Sequence, residues 1–153
     1  MNRPSKGQRF KKKITKLTPT VQKLLWDLSH SAADKPVPGK LSLCIGLPVM
    51  IKCNVATELC ITNGQEATVV GWQSSIGKQN QRILDVLYLK LKSPPRDIQL
   101  ESLPLNVVPL TRSTVSISCF LPDGSKISIS RSQMEISFLP VTLVGGNSLL
   151  LVT

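Results

Sequence analysis

A chain of 153 residues that is 41% hydrophobic and 4% aromatic has enough apolar side chain for one core, built from Leu, Ile and Val, which excludes wholesale disorder. Its net charge of +10 is lopsided: residues 1–23 carry eight bases and no acid, and residues 24–153 carry eleven bases against nine acids. No apolar run approaches the roughly 20 residues that span a bilayer, and the first twenty residues hold no apolar stretch of the secretory kind, so a soluble intracellular chain is expected.

Residues 1–17 read as a basic arm. Lys11, Lys12, Lys13 and four further bases crowd it, and Pro4 and Gly7 discourage regular structure, so it is expected to be disordered. Such an arm can meet phosphates, an acidic partner or a nuclear import receptor. A merely solvated tail is the plainer alternative. Residues 18–39 follow as a helix and linker. Thr18 suits an N-cap, and Pro19 suits the first helical position, where its missing N–H costs nothing. Val21, Leu24, Leu25 and Leu28 recur on one face, which predicts a helix over 19–29, and SAADKPVPG (31–39) reads as the linker.

From Lys40 the periodicity changes to that of strands. LSLCI (41–45) and PVMIKC (48–53) are rich in strand formers and are parted by Gly46. In ELCITNGQEATVVGW (58–72), Asn63-Gly64 offers the two positive-φ residues of a type I′ turn. A hairpin is expected there, between strands ending near Ile61 and starting near Glu66, with Trp72 in its core. ILDVLYLKL (83–91) predicts a strand, 97–101 is a candidate edge strand, and NVVPL (106–110) predicts a short one. Val115, Ile117, Cys119 and Leu121 then alternate with Thr114, Ser116, Ser118 and Phe120. Pro122-Asp123-Gly124 supplies a turn, Ile127 and Ile129 continue the alternation on the return, and Met134, Ile136 and Phe138 alternate again. So many short strands predict a mainly β fold: a small barrel over 40–140, SH3-like or OB-like by pattern, with one N-terminal helix. Residues 141–153 form an atypical apolar tail.

Patterns that carry catalysis are missing. Gly71 and Gly77-Lys78 imitate a phosphate loop loosely, but five residues part the glycines where four are needed, and Gln79 stands where Ser or Thr would hold magnesium. The segment Gln73–Arg82 therefore reads as a polar hairpin loop. The nine acids form no DE pair or DxD cluster, and His30 has no nucleophile motif beside it. Cys44, Cys53, Cys60 and Cys119 make no CxxC pair. They are expected to be reduced, small apolar residues in or near the core. No catalytic residue, metal or cofactor is expected.

The string KLSLCIGLPVMIKCNVATELCITNGQEATVVGW (40–72) resembles a characteristic stretch of Pif-type, RecD-like DNA helicases, especially fungal copies related to Helitron elements. Gly46, Pro48, Val49, Met50, Asn54, Asn63, Gly64 and Val70 fit its pattern: an apolar strand, G-x-P/Q-V-M, a spacer to Asn, an NG turn and a valine-rich strand. DVLYLKLKSPPRDIQLESLPLNVVPLTRS (85–113), SRSQMEISFLP (130–140) and LLWDLSHSAADKPVPGK (24–40) extend the likeness to about residues 20–140. The resemblance implies an SH3-like barrel inserted in the second RecA-like motor domain, touching the translocated single strand and shaping its exit channel. The parent family uses ATP and magnesium, and its P-loop and DE pair would lie upstream. After Pro140 the family continues into an SQGKT-type segment, whereas this chain reads VTLVGGNSLLLVT, as a truncation or frame change would leave it.

The expected function is that of a non-catalytic helicase remnant or accessory domain, a nuclear monomer that contacts the backbone of single-stranded DNA and the remaining motor domains of the helicase. Lys11, Lys12, Lys13, Lys52, Lys90, Lys92 and Arg112 are the candidate phosphate contacts, because cations neutralise phosphates with salt-dependent, sequence-tolerant affinity. Phe120, on the Thr/Ser side of its strand, is the candidate stacking residue, with packing against the helix or a motor domain as the plainer alternative. Two other readings share this composition: a protein-interaction barrel with a basic targeting arm, and a degenerate mobile-element fragment without selected function.

Overall fold

A computed structural model of the chain describes residues 18–20, 22–23, 40–120, 124–139 and 150–152. The strands along them are β1 (Leu41–Leu43), β2 (Pro48–Ile51), β3 (Glu66–Ile76), β4 (Arg82–Leu91), β5 (Val107–Thr111), β6 (Ser113–Phe120), β7 (Lys126–Gln133), β8 (Ile136–Phe138) and β9 (Leu150–Val152). All their pairings are antiparallel. Five strands share one sheet in the order β5-β4-β3-β2-β8, while β6 pairs with β7 and β1 with β9. The fold is mainly β, as the alternating pattern predicts.

β4 shows how the sequence makes the core face. Leu87, Leu89 and Leu91 alternate with Tyr88 and Lys90, and only the leucines are buried, because successive strand side chains point to opposite faces. They oppose Trp72, Val69 and Ala67 on β3. This register needs one extra residue, and Val70 supplies it by bulging out between Val69 and Gly71. Val70 is left exposed, and Trp72 packs against the core. β4 has its own extra residue, Asp85, where Leu84 and Val86 face Ser74 and Gln73. Val49 and Ile51 of β2, Val108 and Leu110 of β5, and Met134 and Ile136 beside β7 and in β8 join Leu41 and Leu43 in the same cluster. Each fully buried aliphatic side chain contributes about 1.5–3 kcal/mol relative to exposure. Pro109, which has no N–H for a ladder, is accommodated because β5 is an edge strand.

The expected closed barrel is not formed. Among the described residues no ladder joins the edge strands β5 and β8. Residues 113–133 pair with themselves as the β6–β7 hairpin instead. Ser113 and Gln133 are partners at the root of that hairpin, so the end of β5 and the start of β8 converge there, and the sheet curls without closing. Arg112 lies between β5 and β6 and reaches Asp85 of β4 at 3.2 Å, which ties the root to the sheet at the β4 bulge. Gln133 is buried, and neither its amide nor the Ser113 hydroxyl has a hydrogen-bond partner among the described residues.

Three local expectations are corrected. Gly64 does have a positive φ of 93°, but Asn63 does not, and the Gln65 N–H donates to the Thr62 carbonyl at 3.1 Å. This is a type II arrangement rather than type I′. Its flanks do not pair with each other: Ile61 bridges to Ala56, while Glu66 opens β3 against Met50 of β2. Residues 97–101 make no strand, because Asn106 captures the segment. Its side chain accepts from the Ile98 N–H at 2.8 Å, and its own N–H donates to the Ile98 carbonyl at 2.8 Å. Of the helix expected over 19–29, only Pro19, Thr20, Gln22 and Lys23 are described, in helical conformation. The Gln22 N–H donates to the Thr18 carbonyl at 2.9 Å, the first bond that a Thr18 N-cap would allow. No complete α-helix stands among the described elements, although Thr57–Leu59 form a 3-10 turn.

The arm at 1–17, the linker at 31–39 and most of the tail at 141–153 lie outside the described residues. Within the tail, β9 adds to β1 with Leu43 opposite Leu150 and Leu41 opposite Val152. Among the described residues no helix is long and apolar enough to cross a membrane.

The turn at Gly64 gives a direct check on the register. A side chain there meets no neighbour within 4 Å but inherits a left-handed backbone. Gly64→Val is expected to destabilise the fold by about 1 kcal/mol or more, read as a lowered denaturation midpoint.

Candidate nucleic-acid interface

The residues that carry the family resemblance occupy structural positions. Gly46 (φ 86°) turns the chain from β1 into β2, and its N–H donates to the Val69 carbonyl at 2.8 Å. Pro48 starts β2, Val49 is fully buried and Met50 half-buried. The Asn54 side chain accepts from the Asn63 N–H at 2.8 Å, which pins the turn that Gly64 completes. Val70 is the bulge of β3. These positions build the scaffold.

The candidate cations divide into two groups. Lys92 is paired with Glu66 at 2.9 Å, and Arg112 with Asp85 at 3.2 Å. Both pairs are solvent-accessible and therefore weak, so a phosphate can compete for either cation. Lys52 and Lys90 are exposed and make no ion pair among the described residues. Lys52 follows β2, held by its N–H to the Glu135 carbonyl, and Lys90 stands on β4 between Thr68 and Val107. Lys11, Lys12 and Lys13 lie outside the described residues.

Phe120 falls on a surface that its sequence neighbours only half disclose. In the β6–β7 register Thr114 faces Ser132, Ser116 faces Ser130, Ser118 faces Ser128, and Phe120 faces Lys126. One face of the hairpin is thus a double row of hydroxyls that ends in an aromatic ring. Phe120 is 54% exposed, and the Lys126 ammonium sits over its ring, 5.8 Å from the centre. Lys126 is a candidate contact residue that sequence reasoning missed. The signal was present, since counting the alternation outward from Pro122-Asp123-Gly124 sets Lys126 opposite Phe120. Such a face can donate hydrogen bonds to phosphate oxygens, hold one cation near them and offer a ring to a base.

The segment that imitates a phosphate loop is a hairpin turn. β3 runs to Ile76, the Gly77 N–H donates to the Gln81 carbonyl at 2.8 Å, and β4 begins at Arg82. Strand therefore follows where a phosphate loop has a helix. Cys44 and Cys60 are buried and Cys53 is half-buried, all three as free thiols. Among the described residues no three metal-ligating side chains cluster.

Compared with protein-family models, curated proteins and solved structures, the chain matches none.

Cys53 is perturbed for a local reason. Burial, then the charge of Glu135, then a hydrogen bond to that carboxylate push its thiol up to about 11. The thiolate is the nucleophile, so alkylation of Cys53 by iodoacetamide is expected to stay slow until the pH nears 11. The stability contributed by the protonated thiol is complete below the ordinary value of 9.0 and is lost as pH rises through about 11. Glu135→Gln removes the carboxylate charge and is expected to speed alkylation at pH 9, followed by peptide mass mapping.

Proposed function

We infer that this chain is a non-catalytic accessory or remnant domain of a Pif-type DNA helicase, and that it holds the backbone of single-stranded DNA without reading its sequence. The observation that carries this reading is the hydroxyl face of the β6–β7 hairpin with Phe120 and Lys126 at its end. Alternate residues on a strand stand roughly 7 Å apart, a spacing of the same order as that of successive phosphates along an extended single strand. Support also comes from the resemblance over about residues 20–140 and from an antiparallel, curled sheet, which suits an SH3-like insert whose barrel stays open. The partners in this reading are single-stranded DNA and the motor domains of a parent helicase, with the chain itself a monomer.

Charge divides the work. The body beyond residue 23 is nearly balanced, so long-range attraction falls to the basic arm, and the body contributes contact geometry. The same arm fits a nuclear import signal. ATP and magnesium belong to the parent motor, since Gly77-Lys78 is followed by Gln79 and offers no hydroxyl for the metal.

Titration of the chain with labelled oligothymidylate is expected to show weak binding without base preference. Affinity should fall steeply with salt, with a slope of about −0.7 per phosphate neutralised. Deleting residues 1–16 should remove most of the affinity. Phe120→Ala should weaken binding by about fivefold or more while leaving the salt slope unchanged, because stacking releases no counterion. Equal affinity with and without the arm, or no binding at low salt, would contradict the reading.

The chain is also expected to turn over no ATP above a mock-purified background. Turnover abolished by Lys78→Ala would show that the β3–β4 turn had been misread.

A further inference from the structure

We propose that the cleft between the β2–β3 and β4–β5 loops is a phosphate-group site organised by Arg96. Thr57, Cys60 and Thr62 line it from the first loop, Pro95 and Arg96 from the second, and it encloses about 240 Å³. That is below the roughly 300–1,000 Å³ of pockets for drug-sized ligands, so it takes one small group rather than a whole nucleotide.

The chemistry of the lining selects the group. The Arg96 guanidinium donates to the main-chain carbonyl of Glu58. This contact swings the side chain across the β2–β3 loop and uses only part of a fork that carries five N–H donors. Lys92 and Arg112 each have a carboxylate partner, but among the described residues no acid forms an ion pair with Arg96. The Thr57 and Thr62 hydroxyls make no hydrogen bond to other described residues. A planar guanidinium with unused donors, two threonines and the buried Cys60 line the same cleft, a donor set of the kind that binds phosphate oxygens.

Both walls are held before any ligand arrives. Ile61 bridges to Ala56, the Thr62–Gln65 turn is closed by its own hydrogen bond, and Asn63 is anchored on Asn54. On the other side the Asn106 side chain holds both Ile98 and Asp97. A site whose loops are already ordered loses little entropy on binding. Two acids stand near. Asp97 is committed to Asn106, and the exposed Glu58 carboxylate is a rim charge that opposes an anion. Glu58 thereby supplies a control that a purely structural role for Arg96 would not satisfy.

The proposal does not depend on the single-strand reading, because inorganic phosphate probes it directly. In a nuclear magnetic resonance titration of the full chain with phosphate at constant ionic strength, saturable shifts are expected at residues 57–62 and 95–97, in the millimolar range. Arg96→Lys, which keeps the charge but loses the fork, should weaken binding about tenfold, and Thr62→Val about threefold. Glu58→Gln should tighten it about threefold. A thymidine dinucleotide that moves the same resonances would identify a backbone diester as the source. Response to phosphate alone would identify free phosphate or a monoester. No saturable shift at these residues, or binding indifferent to Arg96→Lys and Glu58→Gln, overturns the proposal. That result would leave intact any oligonucleotide binding through the arm and Phe120.

Discussion

The rest of the structure hangs on the bulge at Val70. Strict alternation along Val69, Val70, Gly71 and Trp72 would send Val69 and Trp72 to opposite faces of β3. With Val70 pushed out, Val69 meets Leu89, Trp72 meets Leu87, and the longest hairpin of the fold lays one continuous apolar face on the core. β2 and β5 then pair on either side of that hairpin, and β8 pairs with β2. Among the described residues the two edges of the resulting sheet are brought together at Ser113 and Gln133, where the β6–β7 hairpin leaves the body. The root of this hairpin is costly, because a buried amide without a partner loses its hydration and gains nothing for it. Its tether is the Arg112–Asp85 pair, made from the extra residue of β4. The two irregularities of the β3–β4 ladder therefore have separate consequences, one for the core and one for the attachment of the hairpin.

Two of the body's cations are paired with carboxylates. Lys92 and Arg112 stand where the sheet needs charge neutralised, and each spends its charge on a carboxylate of a neighbouring strand. Surfaces for contact remain along the sheet at Lys52 and Lys90, on the hairpin that carries Phe120 and Lys126, and in the cleft beside Arg96. An account of the chain as a phosphate-binding module thus rests on hydroxyls and a few directed donors. A broad positive patch would be a poor description of the described body.

Strand existence was legible because it depends on local alternation. Leu87, Leu89 and Leu91, and the Thr/Ser row of β6, were readable for that reason. What the sequence concealed was set by residues far away along the chain. The type II geometry at Asn63 is set by Asn54, nine residues back. The loss of the strand at 97–101 follows from one residue, Asn106, whose side chain and backbone N–H serve the two backbone groups of Ile98. Barrel closure depends on which edges pair, and no local pattern encodes the convergence of β5 and β8 at one hairpin root. The candidate site divides in the same way. Phe120 stood out in its own strand. The carboxylates that pair with Lys92 and Arg112 lie on other strands, and Arg96 acquires meaning only when the β2–β3 loop comes beside it.

The central claim is that the polar face of the β6–β7 hairpin touches single-stranded DNA through Phe120. Photocross-linking tests it most directly, with a short single strand that carries 5-iododeoxyuridine, followed by mass mapping of the modified peptide. The account predicts a cross-link at Phe120 that is lost when an unlabelled single strand competes. Cross-links confined to residues 1–17, or none at Phe120 under conditions where the strand is bound, would contradict it.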